Sequence, residues 1–317
     1  MDLRQLNALV AIADHGSFSG AADALATVQS NVSTHVKKLE RELGATLVDR
    51  ASGTLTESGE LVVARARRAT AELDALLSDV LALRHEVAGT VRIGIIGTTA
   101  RWLVPRLLDV APGRFPSLRL VFVESTTNAL EAQLASGQVD LGVLNLPHAS
   151  PDLSVIPLFE EELVLVAAID HPLAASDEIS AADLAGVPIL LPLPGTAFRT
   201  ELDEALAPLG VHLVPRAEVD GTRLIASLTF EGYGPAILPA TAVPSYLRSD
   251  WALVRVREIP PRLVGVAQRP RSLPSAPARA AIDMLTEIVF EPGRAPDGLT
   301  PVPPDRVRPS FARKAGG

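Results

Sequence analysis

Hydrogen-bonding and cationic side chains share one side of a predicted helix from Val28 to Leu43. Apolar residues at steps of four, three and four form a buried stripe on the other side: Val32, Val36, Leu39 and Leu43. The polar side carries short side chains first and cations later: Gln29, Ser30, Asn31, Ser33, Thr34, Lys37, Lys38 and Arg41. A helix that enters the major groove of DNA needs short polar groups for base edges and cations for phosphates. A solvated face on an ordinary amphipathic helix fits this segment equally well when it is taken alone.

A second set of polar residues follows predicted strands in a β-α-β order. Thr98 and Thr99 come after the strand Val91–Ile96, Ser125 and Thr126 after Leu118–Glu124, and Asn145 after Val139–Leu144. Ligands of parallel sheets sit beyond the carboxyl ends of the strands, so these side chains indicate a binding cleft. Helix starts at Thr98 and Thr196 would offer free N–H groups to a carboxylate or similar anion, although simple helix capping explains each threonine as well.

Arginine residues near this cleft leave two alternatives open. Arg101, Arg199 and Arg223 could clamp an anion or could lie solvated on the surface. The sequence does not decide between these alternatives.

Catalytic and metal chemistry has little support. The chain contains no cysteine, which excludes disulfides, thiolate metal sites, cysteine nucleophiles and thiol redox sensing within these residues. There is no G-x-S-x-G, P-loop or H-E-x-x-H motif, and the histidines lack ligand spacing. We therefore expect no enzyme activity, no metal and no cofactor.

Length and composition predict a soluble, multidomain protein. The 317 residues are 47% hydrophobic and 21% charged, with no apolar stretch near the roughly 20 residues that a membrane span needs. The start, MDLRQLNALV, lacks the design of a secretory signal, so we expect a cytoplasmic location. The net charge of −8 disfavours nucleic acid overall, but it does not describe the local surface around Val28–Leu43, whose basic excess is small.

A long helix is predicted from Ser58 to Ala88, with Gly89 as its C-cap. Its apolar residues alternate at steps of four and three, which is typical of a coiled-coil seam. The positions are Val62, Ala66, Ala69, Leu73, Leu76, Val80, Leu83 and Val87. Pairing with a second copy is expected, although the seam could instead be buried within its own chain. A two-fold dimer would require a near-palindromic DNA site.

The block GSFSGAADALATVQSNVSTHVKKLERELGATLVDR, followed by LTESGE, resembles the winged helix-turn-helix of LysR-type transcriptional regulators. The residues that carry the resemblance are Gly16, Ser17, Phe18, Ala21, Ala22, Leu25, Gln29, Ser33, Leu39, Glu40, Leu43, Gly44, Leu47, Arg50, Leu55, Thr56 and Gly59. Two features depart from the family. Val28 replaces the usual hydroxyl residue, so that Thr27 could cap the recognition helix instead, and a short wing leaves Arg50 as its only cation.

The resemblance extends through VRIGIIGTT, GQVDLGVLN, EELVLVAAIDHPLA and GYGPAILP. It implies an all-α winged helix-turn-helix (1–58) and a linker or dimerisation helix (59–89), then an α/β, two-lobed effector domain like a periplasmic binding protein (90–290). Lobe one would comprise 90–163 and 268–290, lobe two 164–267, and 291–317 would be a disordered tail. The cleft residues implied are Thr98, Thr126, Asn145, Gly195, Thr196 and Thr222.

These observations together predict a transcriptional regulator that binds DNA and responds to a small-molecule effector between its lobes, and an anion is one candidate for that effector. The other expected partners are a second copy, by resemblance a tetramer, and RNA polymerase, with no membrane. One alternative is a solute-binding module whose N-terminal helices bind a protein. Another is a metabolic enzyme, which would need a base and a nucleophile that the sequence does not offer.

Overall fold

A computed structural model describes residues 1–84, 86–146, 150, 153–243, 250–269, 273–293 and 295–303. Its helices are α1 (Leu3–His15), α2 (Phe18–Ala24), α3 (Gln29–Leu43), α4 (Glu57–Ala82), α5 (Gly97–Arg114), α6 (Thr127–Ser136), α7 (Ala197–Leu206), α8 (Thr222–Phe230) and α9 (Ala276–Phe290). Its strands are β1 (Gly89–Ile95), β2 (Leu118–Glu124), β3 (Leu141–Leu146), β4 (Ser154–Glu161), β5 (Leu163–Ala168), β6 (Glu178–Ile179), β7 (Pro188–Pro192), β8 (Val214–Val219), β9 (Ala236–Pro239), β10 (Trp251–Val256), β11 (Arg262–Gln268) and β12 (Leu299–Pro301). Within these ranges, every helix is too short or too polar to span a lipid bilayer.

The N-terminal helices pack around one apolar core. Helix α1 ends at Gly16, which adopts the left-handed conformation, and Ser17 caps α2 with its side chain, as the sequence predicts. Leu9, Val32 and Val36 are completely buried where α1 and α3 meet. An antiparallel bridge between Val48 and Leu55 forms the short wing.

Helix α4 is shorter than the sequence predicts. Thr56 caps its start as expected, but the helix ends at Ala82 and not at Ala88. Gly89 is not its C-cap, because Gly89 already pairs with Leu118 at the beginning of β1. The hydrogen-bonded ladder between β1 and β2 therefore begins at the residue that the sequence assigns to the C-cap of the helix.

The rest of the molecule contains two sheets, each of six strands among the described residues, together with helices α5 to α9. The first has the order β12-β4-β11-β3-β1-β2 and the second β6-β10-β5-β9-β7-β8. Strand β1 pairs parallel with β2 and with β3, which confirms the predicted β-α-β arrangement. Each sheet carries its own buried core, so the α/β part has two lobes.

The lobe boundaries differ from the prediction. Strand β11 pairs antiparallel with both β3 and β4, so the chain has returned to lobe one by Arg262 and not at residue 268. Leu163, expected in lobe one, belongs to β5 and pairs with Pro239 in the second sheet. Strand pairing decides both boundaries, and pairing between distant segments leaves no local signal in a sequence.

The predicted disordered tail is wrong for its first part. Strand β12 pairs antiparallel with β4 and covers what would otherwise be a free sheet edge. The N–H of Glu162 donates to the Gly298 carbonyl at 2.8 Å, and that of Val302 to the Leu158 carbonyl at 2.9 Å. The tail's basic residues, from Arg306 onward, lie outside the described residues.

Candidate functional site

Helix α3 exposes the polar side that the sequence predicts. Val32, Val36 and Leu39 have no exposed surface. The exposed predicted DNA contacts are Gln29, Ser30, Asn31, Thr34, Lys37 and Lys38, whereas Ser33 is half-buried. The face is therefore accessible over about three helical turns.

The start of α3 is organised differently from the expectation. Val28 is the N-cap residue, and among the described residues no side chain caps the helix. Thr27 does not take over the cap. Its Oγ1 instead accepts a hydrogen bond from Asn31 Nδ2 at 3.0 Å, while Thr34 Oγ1 donates to the Ser30 carbonyl at 2.7 Å.

Arg50 has an intramolecular role that the sequence did not reveal. Its guanidinium donates to Glu40 Oε2 at 3.1 Å and to Ser33 Oγ at 3.4 Å, and lies 5.6 Å from the centre of the Phe18 ring. Glu40 Oε1 in turn accepts the N–H of Leu47 at 2.9 Å. The Arg50–Glu40 pair thus fixes the wing against α3, and Arg50 is less free to reach a DNA phosphate than the sequence predicts.

A cleft of about 510 Å³ lies between the two lobes. Its lining includes six of the seven residues predicted to bind the effector: Thr98, Thr126, Asn145, Gly195, Thr196 and Thr222. The seventh, Thr99, has no exposed surface, so the expectation that it faces the cleft is wrong.

Four helices begin at this cleft. Thr126 caps α6 through a hydrogen bond from the Ala129 N–H at 3.4 Å, and Thr196 caps α7 through one from the Arg199 N–H at 3.3 Å. Helices α5 and α8 begin after Ile96 and Gly221 without a side-chain cap from any described residue. Thr98 is therefore inside the first turn of α5 and does not cap it.

The sequence did not predict a buried ion pair at the hinge, where the chain crosses twice between the lobes. Arg262, at the start of β11, donates to Glu161 Oε2 through Nε at 2.9 Å and through Nη2 at 2.6 Å. Nη2 also donates to Thr98 Oγ1 at 2.9 Å, and Glu161 Oε1 accepts the Thr241 N–H at 2.9 Å. Because Glu161 and Arg262 lie at the two crossings between the lobes, the network ties both crossings to the cleft.

Glu201 of α7 faces this network. Burial raises its pKa above the ordinary glutamate value, and the negative charge of Glu161 adds to the effect, while Arg262 opposes it. The hinge thus brings two carboxylates towards a single guanidinium.

The three arginines that the sequence offered as anion ligands already interact with groups of the protein. Arg199 pairs with Asp203 and Glu218, each at 3.0 Å, and Arg101 donates to the Ala242 carbonyl at 2.9 Å. Arg223 pairs across the cleft with Glu124. No group of side chains in the described part of the chain has the composition of a metal site.

The predicted seam divides into three parts. Val62 and Ala66 pack in the core of the N-terminal helices. Ala69 is exposed, as are Leu73 (44%), Leu76 (58%) and Val80 (50%). Leu83 lies at the C-cap of α4, beyond the helical stripe.

Comparison with known proteins gives the same division of the chain. Residues 3–60 match the family described as bacterial regulatory helix-turn-helix protein, lysR family, and residues 84–289 match the LysR substrate binding domain. The DNA-binding transcriptional dual regulator OxyR of Escherichia coli K12 is 31% identical over 293 residues, which is 91% of this chain and 95% of the relative.

Solved structures agree in fold. A cysteine-substituted variant of full-length OxyR from Pseudomonas aeruginosa aligns with a TM-score of 0.76 and 26% identity, over 95% of this chain and 98% of that one. CbnR in complex with its target DNA aligns with a TM-score of 0.65 and 22% identity, over 91% and 100% of the two chains. The predicted fold class is confirmed. The chain belongs to the LysR family of transcriptional regulators, which bind DNA through the N-terminal helices and carry an effector-binding domain.

Proposed function

We propose that this regulator is controlled by a small organic anion that binds between the lobes and also carries a hydrogen-bond donor. The observation that carries the proposal is the convergence of four helix N-termini on one cleft. Each N-terminus places partial positive charge and backbone N–H groups near the opening, which favours an anion. The uncapped starts of α5 and α8 have no side-chain acceptor of their own among the described residues, so their N–H groups remain available.

The side chains of the cleft support the same ligand class. Arg262 donates to Thr98 Oγ1, which leaves the hydroxyl hydrogen of Thr98 free to donate to an anion. Asn145 Oδ1 is buried and has no hydrogen-bond partner among the described residues, so a donor on the ligand would satisfy it. A hydroxy acid or an amino acid has both features, and the volume of about 510 Å³ accommodates one.

Thiol oxidation is not part of this proposal. Several similar proteins are named hydrogen peroxide-inducible genes activators, among them one from Streptomyces viridosporus that is 33% identical over 244 residues. The 317 residues of this chain contain no cysteine, so a peroxide signal could not be stored here as a sulfenic acid or disulfide. We infer that this regulator responds through reversible binding in the cleft and performs no reaction of its own.

A route from the cleft to the DNA-binding helices supports regulation by lobe movement. Helix α5 starts at the cleft and packs against α9. Asp79, near the end of α4, accepts the Ala276 N–H at the start of α9 at 2.8 Å and pairs with Arg279 at 3.0 Å. A ligand that binds one degree of lobe closure better than another would shift α4, and with it the spacing of the DNA-binding helices.

The DNA-binding and self-association roles complete the proposal. Gln29, Ser30, Asn31, Ser33 and Thr34 would contact bases, and Lys37 and Lys38 phosphates. Two copies would pair along the exposed part of α4, from Ala69 to Val80, and place two α3 helices on a near-palindromic site.

The test is a thermal-shift measurement with 2-hydroxy and 2-amino carboxylates, each compared with its primary amide, which lacks the carboxylate charge. We expect acids of the right shape to raise the melting temperature more than their amides do. Thr98→Val should reduce this shift, whereas the matched control Thr99→Val should leave it unchanged because Thr99 does not reach the cleft. Equal stabilisation by acids and amides, or equal shifts in the two variants, would contradict the proposal.

A further inference from the structure

Val28 is an exposed apolar residue at a position where helices prefer a polar one. It is the N-cap of α3, with φ −98° and ψ 149°, and 59% of its surface is accessible. Serine, threonine, asparagine or aspartate at an N-cap stabilises a helix relative to an apolar residue. Valine therefore costs α3 stability and gains little burial within its own chain.

The place of Val28 in the DNA-binding domain suggests a compensating role. Recognition helices present their N-terminal residues to base edges in the major groove. Next to Val28, the side chains of Gln29 and Ser30 are exposed and polar. They supply hydrogen bonds, but hydrogen bonds do not detect the C5-methyl group of thymine, which is recognised by apolar contact.

We propose that Val28 contacts the C5-methyl group of one thymine in each half of the DNA site and so determines the base preference there. The neighbouring Thr27 is a poorer candidate, because it is half-buried whereas Val28 is exposed. Leu25 is another exposed apolar side chain of the turn, with 40% of its surface accessible, but it terminates α2 and does not start α3. The inference rests on the proposed role of the α3 face in base contacts.

The test uses a DNA fragment from the gene's own upstream region that the protein protects in a footprint. Each thymine is replaced in turn by deoxyuridine, which lacks only the methyl group, and the dissociation constant is measured by fluorescence anisotropy. For the wild-type protein we expect one replacement in each half-site to weaken binding about three- to fivefold, as for the loss of one buried methyl group. The other replacements should have little effect.

Variants then assign the methyl contact to a residue. In Val28→Ser the effect of that one replacement should disappear, while in the control Leu25→Ser it should persist. Serine also restores an N-cap hydroxyl, so the melting temperature of Val28→Ser should not fall. If Val28→Ser loses specific binding altogether, Val28→Ala provides the same comparison without a new polar group.

The outcomes separate the two levels of the inference. A wild-type protein that protects no upstream DNA would contradict base contacts by α3. If the protein protects a site but no deoxyuridine replacement changes the dissociation constant, only the assignment of Val28 is contradicted. Persistence of the methyl effect in both Val28→Ser and Val28→Ala would overturn that assignment as well.

Discussion

Gly59 lies where α4 crosses the segment that leads into the wing. A Cβ atom at Gly59 would be 2.0 Å from the Leu47 carbonyl oxygen and 3.3 Å from Leu55 Cβ. The Leu47 carbonyl cannot move freely, because it accepts the Thr56 N–H at 3.0 Å. The segment that leads into the wing can therefore pack against α4 only because residue 59 has no side chain.

Gly59→Ala should therefore destabilise the DNA-binding domain by about 1–3 kcal/mol, as expected for overpacking against a fixed backbone. Chemical denaturation and DNA affinity are the measurements. Gly113→Ala is the matched control, since Gly113 also lies in a helix but has nothing within 4 Å of its would-be Cβ. Alanine should stabilise that helix by roughly 0.5–1 kcal/mol. Similar stabilities for the two variants would show that the Leu47 contact is relieved elsewhere.

Helix α4 joins the DNA-binding helices to the effector-binding domain, and different parts of its length contact each one. Its first turns complete the core of the N-terminal helices, and its last turns contact lobe one through Ser78 and Asp79. Between them the exposed leucines have no described partner that covers them. A second copy of the same helix would bury this stripe.

Leu73→Asp combined with Leu76→Asp should produce monomers, because four carboxylates would meet at the centre of a symmetric seam. Light scattering at a fixed concentration measures the change in mass. Leu209→Asp, at an exposed leucine of lobe two, is the control and should leave the mass unchanged. A double variant with the wild-type mass would exclude pairing through this stripe.

Asp140 lies where α4 meets lobe one, and the charge balance there depends on pH. Burial raises its pKa above the ordinary value of 3.8, and the negative charge of Asp74 on α4 adds to this effect. The Arg92 N–H and the positive charges of Arg92 and Arg269 act in the opposite direction. A carboxyl with a raised pKa in the folded state contributes most to stability in acid. That contribution is lost as the pH rises from the unfolded-state value through the folded-state value.

Asp140→Asn should accordingly raise the melting temperature at pH 7, by about 2 °C for roughly 1 kcal/mol in a domain of this size. At pH 4 the gain should be smaller, since the wild-type carboxyl is then partly protonated. Asn retains an acceptor for the Arg92 N–H, which donates to Asp140 Oδ2 at 2.8 Å. Asp109→Asn, on the exposed side of α5, is the control. A gain independent of pH would indicate that the charge of Asp140 is not its cause.

At the scale of the whole molecule, the sequence predicted the features that local patterns encode. The strand Leu118–Glu124 and the caps at Gly16, Ser17 and Thr56 have local causes, namely β-branched residues, a left-handed glycine and hydroxyl acceptors. Thr98, Thr126 and Asn145 followed from the order of strands and helices, whereas Gly195 and Thr222 were implied only by the family resemblance. The prediction for Thr99 was wrong because the direction that a side chain faces within a helical turn depends on packing.

Long-range contacts explain what the sequence did not predict. Glu161 and Arg262 are 101 residues apart, and their pairing depends on how two sheets share the crossing strands. The strand β12 likewise results from pairing with the distant strand β4. Nothing in the local composition around Ala82 indicates the end of a helix, and nothing in Leu299–Pro301 distinguishes a strand from a solvated tail.

The composition of the whole chain also predicts how it responds to oxidants. Besides lacking cysteine, it has only two methionines, of which Met284 has no exposed surface in the core of lobe one. Treatment with hydrogen peroxide should therefore leave DNA affinity unchanged in an anisotropy titration. An E. coli relative named a hydrogen peroxide-inducible genes activator is a suitable reference in parallel. A reversible change in affinity after peroxide would require an oxidisable group other than a thiol.

The short strand β12 has a practical consequence for anyone who isolates the effector half. A fragment that stops at Phe290, the last residue of α9, would strip one side of β4 of its backbone partners and remove the close packing of Gly298 against Ala240. An exposed strand of this kind recruits neighbouring chains into mixed sheets. Such a fragment should aggregate at high concentration, and a fragment extended to Pro303 should remain monodisperse.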